Sequence, residues 1–189
     1  MLLYLIRHGQ SESNAAHLHC GWAQVSLTEQ GRAEALNAKK VLDGIDFDRV
    51  YSSDLLRAQQ TCAIALPQAT PVIEPLLREI NVGELMGKTA DECLALYGES
   101  YLTNKKNRNF KPYGGETSDE QVARLRAFLS LLEKDPAPRI AAFCHEWSIL
   151  SVLHIVCAHK EFERRPCKNG GVCIFSFAGG RWQLQDWNL

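Results

Sequence analysis

The segment Leu5-Ile6-Arg7-His8-Gly9-Gln10-Ser11-Glu12-Ser13-Asn14 runs from apolar residues straight into reactive ones. The arginine presents a rigid fork of donors suited to a phosphate, and the histidine can act as base, ligand or nucleophile. Gly9 lets the backbone pass close to a bound group. A second histidine, His145, ends the apolar run Ile140-Ala141-Ala142-Phe143-Cys144. Arg57 lies in Val50-Tyr51-Ser52-Ser53-Asp54-Leu55-Leu56-Arg57-Ala58-Gln59-Gln60-Thr61, which passes from strand-like to helix-like sequence. In the first turn of a helix its charge and the helix dipole would both favour an anion. Leu77-Arg78-Glu79-Ile80-Asn81-Val82-Gly83 is a third polar stretch. Taken singly, each of these reads as structural; their combination is what carries information.

The elements that must position these residues alternate between short apolar runs and helical periods, as in an α/β fold with a largely parallel sheet. Residues 2–6 read as a strand buried on both faces. Residues 28–42 read as a helix with Ala35, Leu36, Ala38, Val41 and Leu42 on its apolar period, ended by Gly44. A strand at 49–52 leads to a helix capped by Asp54 and running to about Leu66, and 72–73 form a short third strand. Thr89 and Glu92 make a capping box for a helix near 90–97. Ser118 and Gln121 make another for a helix to about Lys134, with Val122, Leu125, Phe128, Leu129 and Leu132 inward. A strand at 140–143 precedes a helix to about Ala158, and 172–177 with 181–187 form a hairpin turning at Gly179-Gly180. Strand-end side chains then sit at the carboxyl edge of the sheet, where open α/β sheets bind ligands.

In order and register, the R-H-G-Q-S-x-x-N start, Leu27-Thr28-Glu29-Gln30-Gly31, the S-S-D-L-x-R-A-x-x-T block and the L-R-E-x-x-x-G block resemble the histidine phosphatase superfamily, the phosphoglycerate-mutase-like group. The resemblance covers nearly the whole chain, 1–189, as a single domain. It implies a three-layer α/β/α sandwich around a mostly parallel mixed sheet. It implies His8 as the nucleophile that becomes phosphohistidine, with Arg7, Asn14, Arg57 and His145 around the phosphate. Glu79 would be the general acid, its pKa raised by burial or negative neighbours. The expected activity is metal- and cofactor-independent hydrolysis of a small phosphorylated metabolite. The alternatives are a phosphoglycerate mutase using the same machinery, or a weakly catalytic sensor of phosphorylated ligands. Only 65 residues lie between Glu79 and His145, where mutases of the group carry a longer insertion.

The group usually continues its second histidine with glycine, whereas here Glu146 and Trp147 follow. The expectation is that Glu146 points into solvent, and that Glu34, where glutamine is frequent, is a surface matter. Residues 100–115 hold no acid and read as a loop-rich insertion. Its Lys105, Lys106, Arg108 and Lys111, together with Trp22, are candidate specificity elements.

Composition narrows the field further. The chain has 189 residues, 46% hydrophobic and 23% charged, with a net charge of −1, which suits a globular domain rather than a coat for nucleic acid or an anionic membrane. The six apolar residues at the start are too few for a span or a signal segment. Seven scattered cysteines without a C-x-x-C pair suggest free thiols, a cytoplasmic setting and no zinc ribbon. Gly83 to Thr89 is one residue short of a P-loop, and Gly9-Gln10-Ser11 lacks the closing glycine of a nucleophile elbow. No cysteine has an arginine six residues on. His17 and His19 read as part of a loop near the pocket mouth rather than as metal ligands.

Overall fold

A computed structural model of the chain describes residues 1–157 and 166–189. Ala158, the expected end of the helix after His145, lies outside the described residues. Six strands form one sheet: β1 (Leu2–Arg7), β2 (Arg49–Ser52), β3 (Val72–Ile73), β4 (Arg139–Cys144), β5 (Val172–Ala178) and β6 (Arg181–Asp186). Their spatial order is β3-β2-β4-β1-β5-β6. The first four are mutually parallel, with Leu2 opposite Arg139 and Arg7 opposite Cys144. β5 and β6 add antiparallel to one side.

Alternation along β1 explains the layers. Leu3 and Leu5 join Ile140, Ala142 and Cys144 of β4 on one face, while Tyr4 and Ile6 join Ala141 and Phe143 on the other. The first face is covered by α6 (Ser118–Leu132) and α7 (Glu146–Cys157) through Leu125, Phe128, Leu129, Ile149, Val152 and Leu153. The second is covered by α2 (Glu29–Leu42) and α3 (Leu56–Ala65) through Ala38, Leu42, Cys62 and Ala65. A sheet buried on both faces needs apolar residues at consecutive positions, which is why β1 and β4 read as unbroken apolar runs. Each large side chain so buried contributes about 1.5–3 kcal/mol.

A third cluster lies outside this sandwich. Ile80, Val82, Leu85, Cys93, Tyr101, Phe110 and Tyr113 pack together, with Trp147 at their border. It gathers α4 (Ala90–Tyr97), α5 (Glu99–Lys106) and 3-10 turns at Gly83–Leu85 and Lys111–Tyr113. The loop-rich expectation for 100–115 is therefore corrected. Tyr101 and Phe110, both about fully buried (1% exposed), anchor a segment whose polar surface residues mask its packing. The short remaining helix, α1, spans Glu12–Ala15.

Two caps differ from expectation. Asp54 does not cap α3, because its carboxylate is taken by Arg78 Nε at 2.8 and 3.0 Å; Gln24 Oε1 accepts from Leu56 N instead, at 2.8 Å. The box at α6 is Thr117 with Glu120, one residue earlier than Ser118 with Gln121. Thr117 has the extended backbone an N-cap requires, and Gln121 is buried. Leu36, placed on the apolar period of α2, is half exposed. Val122 is only half buried at the edge of the inward face of α6.

Candidate active site

Parallel pairing of β1 and β4 brings the two histidines together at the carboxyl edge of the sheet. His8 N donates to Cys144 O at 3.1 Å, and the His8 and His145 rings lie 5.1 Å apart, centroid to centroid. The chain must turn sharply after His8 to pass beneath α2. A Cβ at Gly9 would stand 2.1 Å from Gly31 O, and one at Gly31 2.0 Å from Gln10 O. Both glycines are thus required by close backbone approach. Thr61 of α3 clamps the turn, its Oγ1 accepting from Gly9 N at 3.1 Å.

Hydrogen bonds define the state of His8. Nδ1 faces Gly9 O at 2.6 Å, so this nitrogen carries the proton, since a carbonyl only accepts. Nε2 receives a hydrogen bond from Arg57 Nε at 3.1 Å, so it presents its lone pair. Arg57 is fully buried. Its Nη1 and Nη2 donate to Ala23 O and Gly21 O, each at 2.9 Å. Burial first, then the charges of Arg57 and Arg7, hold the His8 pKa well below its ordinary 6.5, against the pull of the Gly9 carbonyl. His145 is depressed likewise, by burial and then by Arg57 and His8. Both imidazoles are neutral at pH 7.

The carboxyl of Glu79 is the acidic counterpart. Oε1 accepts from Ile80 N at 2.9 Å and from Gln121 Nε2 at 3.3 Å; Oε2 accepts from Trp147 N at 3.4 Å. These donors and the nearby arginines favour the ionised form, yet burial outweighs them and raises its pKa above 4.5. Its backbone is fixed by Trp22 Nε1 and Arg124 Nη2, which donate to Glu79 O at 2.7 and 3.2 Å. Buried polar atoms without partners also mark the site. Among the described residues these are His145 Nδ1 and Arg7 Nε. An anion oxygen would satisfy the arginine atom, and would satisfy His145 Nδ1 in the tautomer that donates from it.

His8, Arg57, His145, Arg7 and Glu79 are therefore brought into one electrostatic neighbourhood. Asn14 stands apart from these bonds: its Oδ1 accepts from Ser11 N and Ser11 Oγ, at 3.0 Å each, in the capping box of α1. Trp22 supports Glu79 from behind, with the Arg78 guanidinium 4.4 Å from its ring centroid. Arg108 stacks over Trp147 at 4.9 Å, and Lys105 lies over Tyr101 at 5.5 Å. Lys106 is exposed. Lys111 is turned away, its Nζ 2.5 Å from Glu120 Oε1. His17 is exposed, and His19 Nε2 pairs with Tyr101 Oη at 2.7 Å.

Two expectations about acids are corrected. Glu146 does not point into solvent, since its Oε2 lies 3.1 Å from Arg7 Nη1. Glu34 accepts from Gln10 N at 2.6 Å and so ties α2 to the turn after His8. Sequence reasoning also passed over Ser53, whose Oγ lies 2.9 Å from His145 Nε2. Gln121 and Arg124 were missed as well. A polar residue on the buried face of α6 was the available signal for Gln121.

The match to known proteins agrees with this geometry. The model of the histidine phosphatase superfamily, branch 1, matches residues 3–189. The chain belongs to that family. Among curated relatives of this histidine phosphatase superfamily member, a 2,3-bisphosphoglycerate-dependent phosphoglycerate mutase of Methylobacterium radiotolerans is 39% identical over 132 residues, 66% of this chain and 62% of the relative. The mutase of Azorhizobium caulinodans is 37% identical over 132 residues, 64% of its length. The chain thus covers less than two thirds of the length of these mutases. Among solved structures, the α-ribazole phosphatase of Shigella flexneri superposes with a TM-score of 0.91 at 25% identity, covering all of this chain and 96% of the other. A mycobacterial glucosyl-3-phosphoglycerate phosphatase reaches 0.87 at 24% identity, covering 99% and 98%, a likeness of fold alone. Among the described residues no helix is long and apolar enough to cross a membrane.

Proposed function

We propose that this superfamily member hydrolyses a phosphomonoester of a small metabolite through a phosphohistidine on His8. The observation that carries the reading is the His8 tautomer, with Nδ1–H on Gly9 O and the Nε2 lone pair aimed at the Arg57 side of the pocket. Nε2 gives up the hydrogen bond from Arg57 Nε and attacks phosphorus, and the ester P–O bond breaks. Glu79, whose raised pKa suits it to hold a proton, gives that proton to the leaving oxygen. Water then attacks phosphorus, the P–N bond breaks with its electron pair returning to Nε2, Glu79 takes the water's proton, and inorganic phosphate leaves His8 neutral. Arg7 and Arg57 supply the positive charge that offsets the phosphoryl oxygens, a task other phosphatases give to divalent metal ions.

The similarity to mutases at 37–39% identity supports a second reading, in which the phosphoryl group passes from His8 to a second acceptor. Only 65 residues lie between Glu79 and His145, where mutases of the group carry a longer insertion, and this internal spacing favours hydrolysis. The test is a panel of phosphorylated metabolites assayed for free phosphate and for isomerisation of 3-phosphoglycerate primed with 2,3-bisphosphoglycerate. Phosphate release without isomerisation supports the hydrolase. Isomerisation faster than release overturns it.

A further inference from the structure

The acid after the second histidine has a defined target. Glu146 occupies the first turn of α7, where the helix dipole favours a carboxylate, but its Oε2 is 3.1 Å from Arg7 Nη1. The same Nη1 donates to the Cys167 carbonyl. One end of the Arg7 fork is therefore held by two acceptors, from α7 and from the segment leading into β5. At the other end Nε is buried without a partner, and the Arg7 charge reaches His8, His145 and Glu79. A guanidinium is planar, so fixing Nη1 sets the direction of its Nε edge.

We propose that Glu146 is a positioning residue: together with the Cys167 carbonyl it grips Arg7 by Nη1 and so presents the Nε edge to the phosphoryl group. This rests on the phosphohistidine reading of the site. Glu146 and Arg7 keep 26% and 13% of their side-chain surface exposed, so the grip is that of a partly screened pair. Its loss should be felt in binding of the phosphate rather than in proton transfer, because Glu79 and the His8 tautomer are held by other groups.

The test compares wild type with E146A, E146Q and E146S by kcat and KM for p-nitrophenyl phosphate, calorimetric affinity for inorganic phosphate, and thermal midpoint. E146S supplies the truncation in a residue that suits a helix start, should E146A fold poorly. The truncations are expected to raise KM and weaken phosphate about fivefold, the size of a partly exposed ion pair, with kcat within about twofold. E146Q retains an acceptor for Nη1 and should bring KM and phosphate affinity back to within about twofold of wild type. Tighter phosphate binding in all variants would mean that Glu146 competes for Arg7, and overturns the proposal. A lowered thermal midpoint with unchanged KM and phosphate affinity would mean a helix-end charge only, and overturns it too. Wild type that binds phosphate but turns over no ester would instead refute the phosphatase reading, leaving the role of Glu146 to be read from affinity.

Discussion

Replacing Glu79 by Gln removes the proton that the leaving oxygen needs while keeping the shape of the side chain. The carboxyl takes three N–H donors, from Ile80 N, Gln121 Nε2 and Trp147 N. The amide oxygen can keep one or two of them, but the new NH2 group must face a remaining donor. That mismatch should cost about 1–3 kcal/mol of stability, readable as a lowered thermal midpoint. The effect on chemistry is larger and selective. General acid catalysis contributes about 10²–10⁴-fold, or about 2.7–5.4 kcal/mol of barrier at about 1.36 kcal/mol per tenfold. An alkyl phosphate should lose most of this, because its leaving alkoxide is strongly basic. p-Nitrophenyl phosphate should lose little, since its phenolate departs without help. The assay is kcat/KM for both esters in wild type and E79Q, with thermal melts alongside. Equal losses on the two esters would refute a proton-donating role and leave Glu79 as a positioning group.

Removing Gln121, as Q121L, takes a donor from Glu79 and a partner from Ser151 Oγ at 3.3 Å; the Glu79 pKa should rise, moving the alkaline fall of alkyl-phosphate turnover to higher pH in a pH–rate profile, and no movement would show that this contact is idle. His8 and His145 have folded pKa values below 6.5, so the unfolded chain binds more protons there. Stability should therefore be full above about 6.5 and decline as pH falls below it, measured by urea unfolding at several pH values; a flat profile from pH 7 to 5 would contradict neutral buried imidazoles. Turnover should survive EDTA and be inhibited by vanadate; loss on chelation that a divalent ion restores would refute charge supply by Arg7 and Arg57. Replacing Lys105, Lys106 and Arg108 together should raise KM for doubly anionic esters by about two- to fivefold per contact at low salt, leaving p-nitrophenyl phosphate nearly unchanged.

The parts of this fold that were legible in sequence are those where burial dictates residue type over a run. Residues 2–6 of β1 and 140–144 of β4 had to be apolar at every position, and the abrupt change to Arg7-His8 and His145 marked where each strand leaves the core. The rest depended on tertiary neighbours. Thr117-x-x-Glu120 and Ser118-x-x-Gln121 both match a capping box, and what separates them is tertiary: Gln121 is buried against Glu79, and Thr117 takes the extended backbone of an N-cap. Asp54 has the right type to cap α3, but Arg78, 24 residues away, claims it. The polar composition of 100–115 hid a helix because just a few of its side chains, Tyr101, Phe110 and Tyr113, carry the packing. Glu146 looked like a solvent-facing acid because nothing local reveals that Arg7, from the opposite end of the chain, lies 3.1 Å away.

The proposed reaction places a phosphoryl group on one nitrogen of one residue. Rapid quenching of the enzyme with a radiolabelled phosphate ester, followed by alkaline peptide mapping and phosphorus NMR, tests it directly. The predicted result is an acid-labile, base-stable label on the peptide carrying His8, attached at Nε2 and absent from His8→Ala. A label at Nδ1, a label on another residue, or steady turnover with no label at all would contradict the account.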